Sequence, residues 1–191
     1  MPSANSVTEF YNRVEGKLRN GEVNAAMRLL ETVDSGSFIL LSCHVDEDMW
    51  ETPLHRMAAL ACEITHAMQP LEFMLQKTCR GRRCLEVRDS LGANCLNSIM
   101  MLSHEIVNVW LVIQVMRMLT SCMPQEKLLE RYDGETALHL AVQYRDEPLV
   151  EQLVQVLPPE AKTMRDERSR RTPKEWAIES GASQRIVDLV S

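Results

Sequence analysis

Glycine is scarce, with 7 residues in 191, and aromatic side chains make up only 5%. The first scarcity excludes collagen-like and glycine-rich chains. The second leaves a core to aliphatic side chains and methionine. The chain lacks a Cys-x-x-Cys pair, an Asn-x-Ser/Thr glycosylation acceptor, a Gly-x-Ser-x-Gly elbow and any phosphate-cradling glycine loop. Basic charge is short too: 21 Lys and Arg against 27 Asp and Glu leave a net charge of −6. That balance argues against direct nucleic-acid binding, since phosphate neutralisation needs a basic surface. Met1 to Ser6 offer neither a basic n-region nor an apolar h-region, so no secretory leader is expected. The oiliest stretch, Ile99 to Leu119, carries His104, Glu105, Asn108, Gln114 and Arg117. It reads as two buried helices and not as a membrane span.

The cysteines are Cys43, Cys62, Cys79, Cys84, Cys95 and Cys122, an even count that invites a disulfide reading. With no leader in view, buried thiols in a reducing compartment are expected instead. Cys62 and His66 stand at i, i+4, and Cys43 adjoins His44, residue types that suit zinc. His104-Glu105-Ile106-Val107-Asn108 falls one residue short of the His-Glu-x-x-His zinc pattern, with Asn108 where the second imidazole belongs. No catalytic residue, cofactor or metal is assigned. An unrecognised enzyme stays as a distant alternative.

What the chain does have is a repeat. Asp133-Gly134-Glu135-Thr136-Ala137-Leu138-His139-Leu140-Ala141 is its clearest copy. Glu51-Thr52-Pro53-Leu54-His55-Arg56-Met57-Ala58 repeats it upstream, and Arg171-Thr172-Pro173-Lys174-Glu175-Trp176-Ala177 repeats its start downstream. Asp89-Ser90-Leu91-Gly92-Ala93-Asn94-Cys95-Leu96-Asn97 is a degraded copy between them. Aligned at the threonine, the copies fall at 52, 94, 136 and 172, with gaps of 42, 42 and 36. A further copy is read from Asn12, because Gly21 and Leu29-Leu30 follow it at the intervals that separate Thr172, Gly181 and Leu189-Val190.

The chemistry suits helix starts. Thr52, Thr136 and Thr172, and Asn12 and Asn94 in their stead, are good N-cap residues, and Pro at the first helical position needs no donor. Gly21 and Gly181 suit left-handed turns between paired helices, and Arg145 occupies that position at a local cost. Leu71, Met74 and Leu75, like Val150, Leu153 and Val154, lie at helical spacing on second helices. The 12 methionines read as core filler.

These units resemble the ankyrin repeat family, whose signature is Thr-Pro-Leu-His-x-Ala. The resemblance covers about residues 9–191 and implies a single all-α, ankyrin-type solenoid of about five units. The units run approximately 9–45, 46–87, 88–131, 132–167 and 168–191. About 33 residues per unit are expected, so the central units are enlarged. The resemblance also implies that His55 and His139 hydrogen-bond between neighbouring units. As a class the family consists of non-catalytic binding scaffolds, here read as contacting another protein. Transferred position by position, the loop tips are Met49, Trp50 and Glu51; Ser90 and Leu91; Arg131, Tyr132 and Glu135; and Arg170 and Arg171. The first-helix face adds Ala59, Leu60, Met101, Leu102, Gln143 and Tyr144.

Within the family, Asp133 to Val142 with Leu157-Pro158-Pro159-Glu160 resembles the opening repeat of the NF-kappa-B inhibitors and their viral mimics. Gly181-Ala182-Ser183-Gln184-Arg185-Ile186-Val187 resembles their closing repeat. Asp34-Ser35-Gly36-Ser37 resembles their phosphodegron, with Ile39 in place of its second serine. The partner implied is a Rel/NF-kappa-B transcription factor, with no membrane and no direct nucleic-acid contact. The alternative is a generic adaptor that recruits a target to a signalling or degradation complex. A cytoplasmic location is expected. The basic run Lys77 to Arg83 adds a candidate nuclear import patch, beside its reading as a solvated loop.

Overall fold

The computed structural model describes residues 4–34, 52–79, 88, 89, 91–103 and 108–191, in two units, Met1–Cys95 and Leu96–Ser191. In the first unit α1 (Ala4–Arg19) leads through Gly21 into α2 (Val23–Glu31). α3 (Pro53–Glu63) leads through a 3-10 turn, Thr65–Ala67, into α4 (Met68–Cys79). Gly21 takes φ +76°, its amide donating to the Leu18 carbonyl and the Glu22 amide to that of Lys17. That pair of bonds is the left-handed stop expected of a glycine just beyond a helix.

α1 packs on α2 and α3, α3 on α4, and α2 on α4. The first helices thus form one layer and the second helices another. Val7, Tyr11, Val14 and Leu18 face inward from α1, Ala26 and Leu30 from α2, and Leu71, Met74 and Leu75 from α4. One expectation fails here. Asn12 caps nothing: it lies inside α1, where its side-chain oxygen accepts from Arg56 Nη2 at 2.8 Å. The apolar stripe begins upstream at Val7, so burial carries the helix through Asn12 despite its modest helix propensity.

The second unit holds α5 (Cys95–Leu102), α6 (Val109–Cys122) and a single turn, α7 (Gln125–Leu128). A small antiparallel hairpin follows, β1 (Arg131–Tyr132) with β2 (Glu135–Thr136). Then come α8 (Ala137–Tyr144), α9 (Glu147–Val156), a 3-10 turn Pro159–Lys162, α10 (Pro173–Glu179) and α11 (Gln184–Leu189). α8 touches α9 and α10, while α9 touches α6 and α11. The same two layers recur. Leu138, Leu149, Val150, Leu153 and Ile186 are fully buried between them.

The oily stretch is split between α5 and α6, as expected of two helices, with Asn108 accepting from the Leu111 amide at the start of α6. Among the described residues no helix is long and apolar enough to cross a membrane. Arg145 sits between α8 and α9 at φ +58°, the left-handed position read from its alignment with the glycines.

Candidate protein-binding surface

The repeat motif positions its loops through threonine and histidine. Thr52 Oγ1 lies 2.7 Å from His55 Nδ1 and also accepts from the His55 amide. His55 Nε2 reaches the Ala93 carbonyl at 3.3 Å. The second copy repeats the arrangement, with Thr136 Oγ1 2.8 Å from His139 Nδ1 and His139 Nε2 3.1 Å from the Arg171 carbonyl. A carbonyl only accepts, so Nε2 carries the proton and Nδ1 receives the threonine hydroxyl. Both rings are therefore neutral bridges from a helix start to the loop of the next copy. Asn97, in the histidine position of the degraded copy, donates to the Glu130 carbonyl at 3.3 Å. The last copy closes with a reciprocal pair: the Glu175 amide to Thr172 Oγ1, and the Thr172 amide to Glu175 Oε2.

Burial depresses the pKa of both histidines. At His55 it outweighs the opposing pull of Asp89 and of the Ala93 carbonyl. At His139 it outweighs the Arg171 carbonyl and Asp166.

Asp166 holds the loop before Thr172. Only 1% of its surface is exposed, and its carboxylate accepts from the Ser169 amide and hydroxyl, the Arg171 amide and the Trp176 indole. Burial opposes its ionisation, but these donors prevail and hold the group well below the ordinary carboxylate range. Asp89 holds the loop of the degraded copy, accepting from the amides of Leu91 and Ala93 at 2.9 and 2.8 Å.

The hairpin turn Asp133-Gly134, with φ +52° and +87°, rests on the 166–171 loop. There the Glu167 amide donates to the Gly134 carbonyl at 3.0 Å, and Arg168 pairs with Asp133. Arg131 adds a bond to the Arg165 carbonyl at 3.1 Å.

The expected contact residues divide unevenly. Arg131, Tyr132 and Glu135 are half-buried on the hairpin, where burial and the Asp166 charge push the Glu135 carboxyl up. Arg170 is exposed at φ +62°, and Arg171 is half-buried and paired with Glu179. Gln143 is exposed and Tyr144 half-buried at the end of α8. Leu91 is 62% exposed. Ala59, Met101 and Leu102 are half-buried.

Leu60 is the correction. It is only 3% exposed and lines a small cavity with Tyr11 and Met57, because the outward stripe of α3 runs through Arg56, Ala59 and Glu63. Met49, Trp50, Glu51 and Ser90 lie outside the described residues, as do Ser35 to Ser37, Arg80 to Arg83, and His104 with Glu105. The Cys62–His66 pair is engaged elsewhere. His66 Nε2 lies 2.6 Å from the Leu18 carbonyl, and burial pushes the Cys62 thiol up to about 12.

Two exposed apolar side chains escaped the motif-based reading: Trp110, 60% exposed on α6, and Ile178, 59% exposed on α10. Helix phase would have exposed Trp110. Leu111, Val112, Val115, Met116 and Leu119 take the inward face, leaving Trp110, Arg117 and Ser121 outside.

The ankyrin repeat family model matches residues 133–161, from the hairpin turn through α8 and α9 into the 3-10 turn. No match was found among curated proteins. The match supports the ankyrin repeat family, and the chain has an all-α, ankyrin-type helical repeat fold. Ankyrin repeats are in general modules for binding other proteins and are typically non-catalytic.

Proposed function

We propose that the chain is a non-catalytic module that binds another protein along the edge formed by β1–β2, the 166–171 loop and the end of α8. The observation that carries this reading is the locking of that edge. Its backbone is tied by Asp166, His139 and the Gly134–Glu167 bond, while Arg170 and Gln143 project into solvent and Tyr132 and Tyr144 are partly open. A pre-ordered edge loses little entropy on binding, and Tyr and Arg are favoured at binding hot spots.

In its finer form the proposal names a Rel/NF-kappa-B transcription factor as partner. Support comes from the likeness of Asp133 to Val142, Leu157 to Glu160, and Gly181 to Val187 to the inhibitors' terminal repeats. A cytoplasmic and nuclear location accompanies that form, the latter supported by the basic run Lys77 to Arg83.

Affinity capture from cell lysate with the wild-type chain, compared with Tyr132→Ala and Arg170→Glu, tests the edge. The expected result is partner loss in both variants with unchanged melting. Capture that survives both substitutions would overturn the assignment of this edge. Titration with a purified Rel homology region tests the finer form. No binding there, alongside capture of a different protein, favours the adaptor reading.

A further inference from the structure

The α1–α2 pair carries a feature that the proposed loop edge does not use. Between these helices runs a groove of about 480 Å3, lined by Arg13, Gly16 and Lys17 of α1 and by Ala25, Arg28 and Leu29 of α2. That volume falls among ordinary binding clefts. No acidic side chain lines it. Lys17 is neutralised by Glu22 at 2.8 Å. Arg13 and Arg28, both exposed, form no ion pair or hydrogen bond among the described residues. The contrast with their neighbours is plain. Arg19 is held by Glu15 and Glu63, and Arg56 by Glu15. Uncompensated positive charge is thus confined, within this helix pair, to the rim of the groove.

Gly16 supplies the second observation. It lies inside α1, where glycine disfavours the helix. A Cβ built there meets nothing within 4 Å, and its φ is not in the left-handed region. Folding therefore does not require this glycine. Its effect is to leave the groove open above the apolar strip of Ala25 and Leu29, which stand one helical turn apart.

We propose that this groove docks an acidic segment of a partner protein. An apolar side chain of that segment lies over Gly16 on the Ala25–Leu29 strip, and its carboxylates meet Arg13 and Arg28. A nucleic acid fits the same surface poorly. No aromatic ring lines the groove for base stacking, whereas the Ala25–Leu29 strip suits an apolar side chain of a peptide. The inference rests on the reading of the chain as a protein-binding module, but not on the loop edge.

The test is selection of a displayed library of short random peptides on the immobilised full chain, followed by fluorescence titration of the enriched peptides. Peptides rich in Asp and Glu around a large apolar residue are expected, with affinity that falls as salt is raised. The double variant Arg13→Glu/Arg28→Glu should weaken them by about tenfold or more. Gly16→Leu should weaken them likewise while keeping or raising the melting temperature. Tyr132→Ala should leave them unchanged. Enrichment of non-acidic peptides, no enrichment, unchanged binding in the charge-reversed variant, or displacement by poly-uridine RNA at equal concentration would overturn the proposal. Peptides lost on Tyr132→Ala but not on Arg13→Glu/Arg28→Glu would overturn it as well, leaving the loop edge intact.

Discussion

A buried carboxylate with several donors is held by its hydrogen bonds, and Asp166 is the clearest such residue here. Asp166→Ala would strand the Ser169 and Arg171 amides and the Trp176 indole together. Each unsatisfied buried donor costs about 1–3 kcal/mol, so a loss of more than about 2 kcal/mol in chemical denaturation is expected. A loss near zero would mean that water serves these donors equally well.

His55 and His139 set the response to mild acid. Unfolded, each ring protonates near about 6.5; folded, each resists, because burial favours the neutral form. The unfolded chain then binds more protons, so the histidines' stabilising effect is complete above that value and declines as pH falls below it. Asp166, depressed when folded, adds its own loss only at far lower pH. Denaturation midpoints between neutral and mildly acidic pH should show the decline, and His139→Asn should flatten it. Asn97 shows that asparagine can hold such a bridge without titrating in this range.

Among the elements, two glycines invite opposite outcomes. Gly134 sits in the hairpin turn at φ +87°, and a Cβ there would lie 3.1 Å from Glu167 Cβ and 3.5 Å from its amide nitrogen. Gly134→Ala therefore combines the left-handed penalty of about 1–2 kcal/mol with displacement of the 166–171 loop. Gly16→Ala faces open space in a helix interior and should stabilise by about 0.5–1 kcal/mol. Thermal melts of the two variants should move in opposite directions. Helix ends add a third case. Thr172→Ala removes the side-chain acceptor for the Glu175 amide and leaves the Thr172 amide bond to Glu175 in place, at a cost of about 1 kcal/mol.

At the scale of the molecule, helices dominate the described residues, and the only paired strands among them are two residues each. A far-ultraviolet circular dichroism spectrum should show helix with negligible strand signal. A strand-dominated spectrum would contradict the fold. The loop edge and the α1–α2 groove use different residues, so their substitutions should act independently on binding.

Much of this was legible beforehand because caps, turns and bridges are local. Thr52, Thr136 and Thr172 begin their helices and Gly21, Arg145 and Gly181 take left-handed turns, as residue type and spacing indicate. His55 and His139 bridge onward, as the family resemblance implies. Tertiary packing decided the rest. Asn12 is a competent cap by chemistry, yet the buried stripe from Val7 to Leu18 absorbs it into a longer helix. Leu60 and Ala59 are neighbours in sequence, but about 100° of helical rotation sends one against α1 and leaves the other half-open. Trp110, by contrast, is placed outside by the helix phase of its own oily run, opposite the buried Leu111, Val112, Val115, Met116 and Leu119. The groove between α1 and α2 could not be read from sequence at all. An unpaired arginine is defined by where the carboxylates of other elements fall, and only the folded chain determines that.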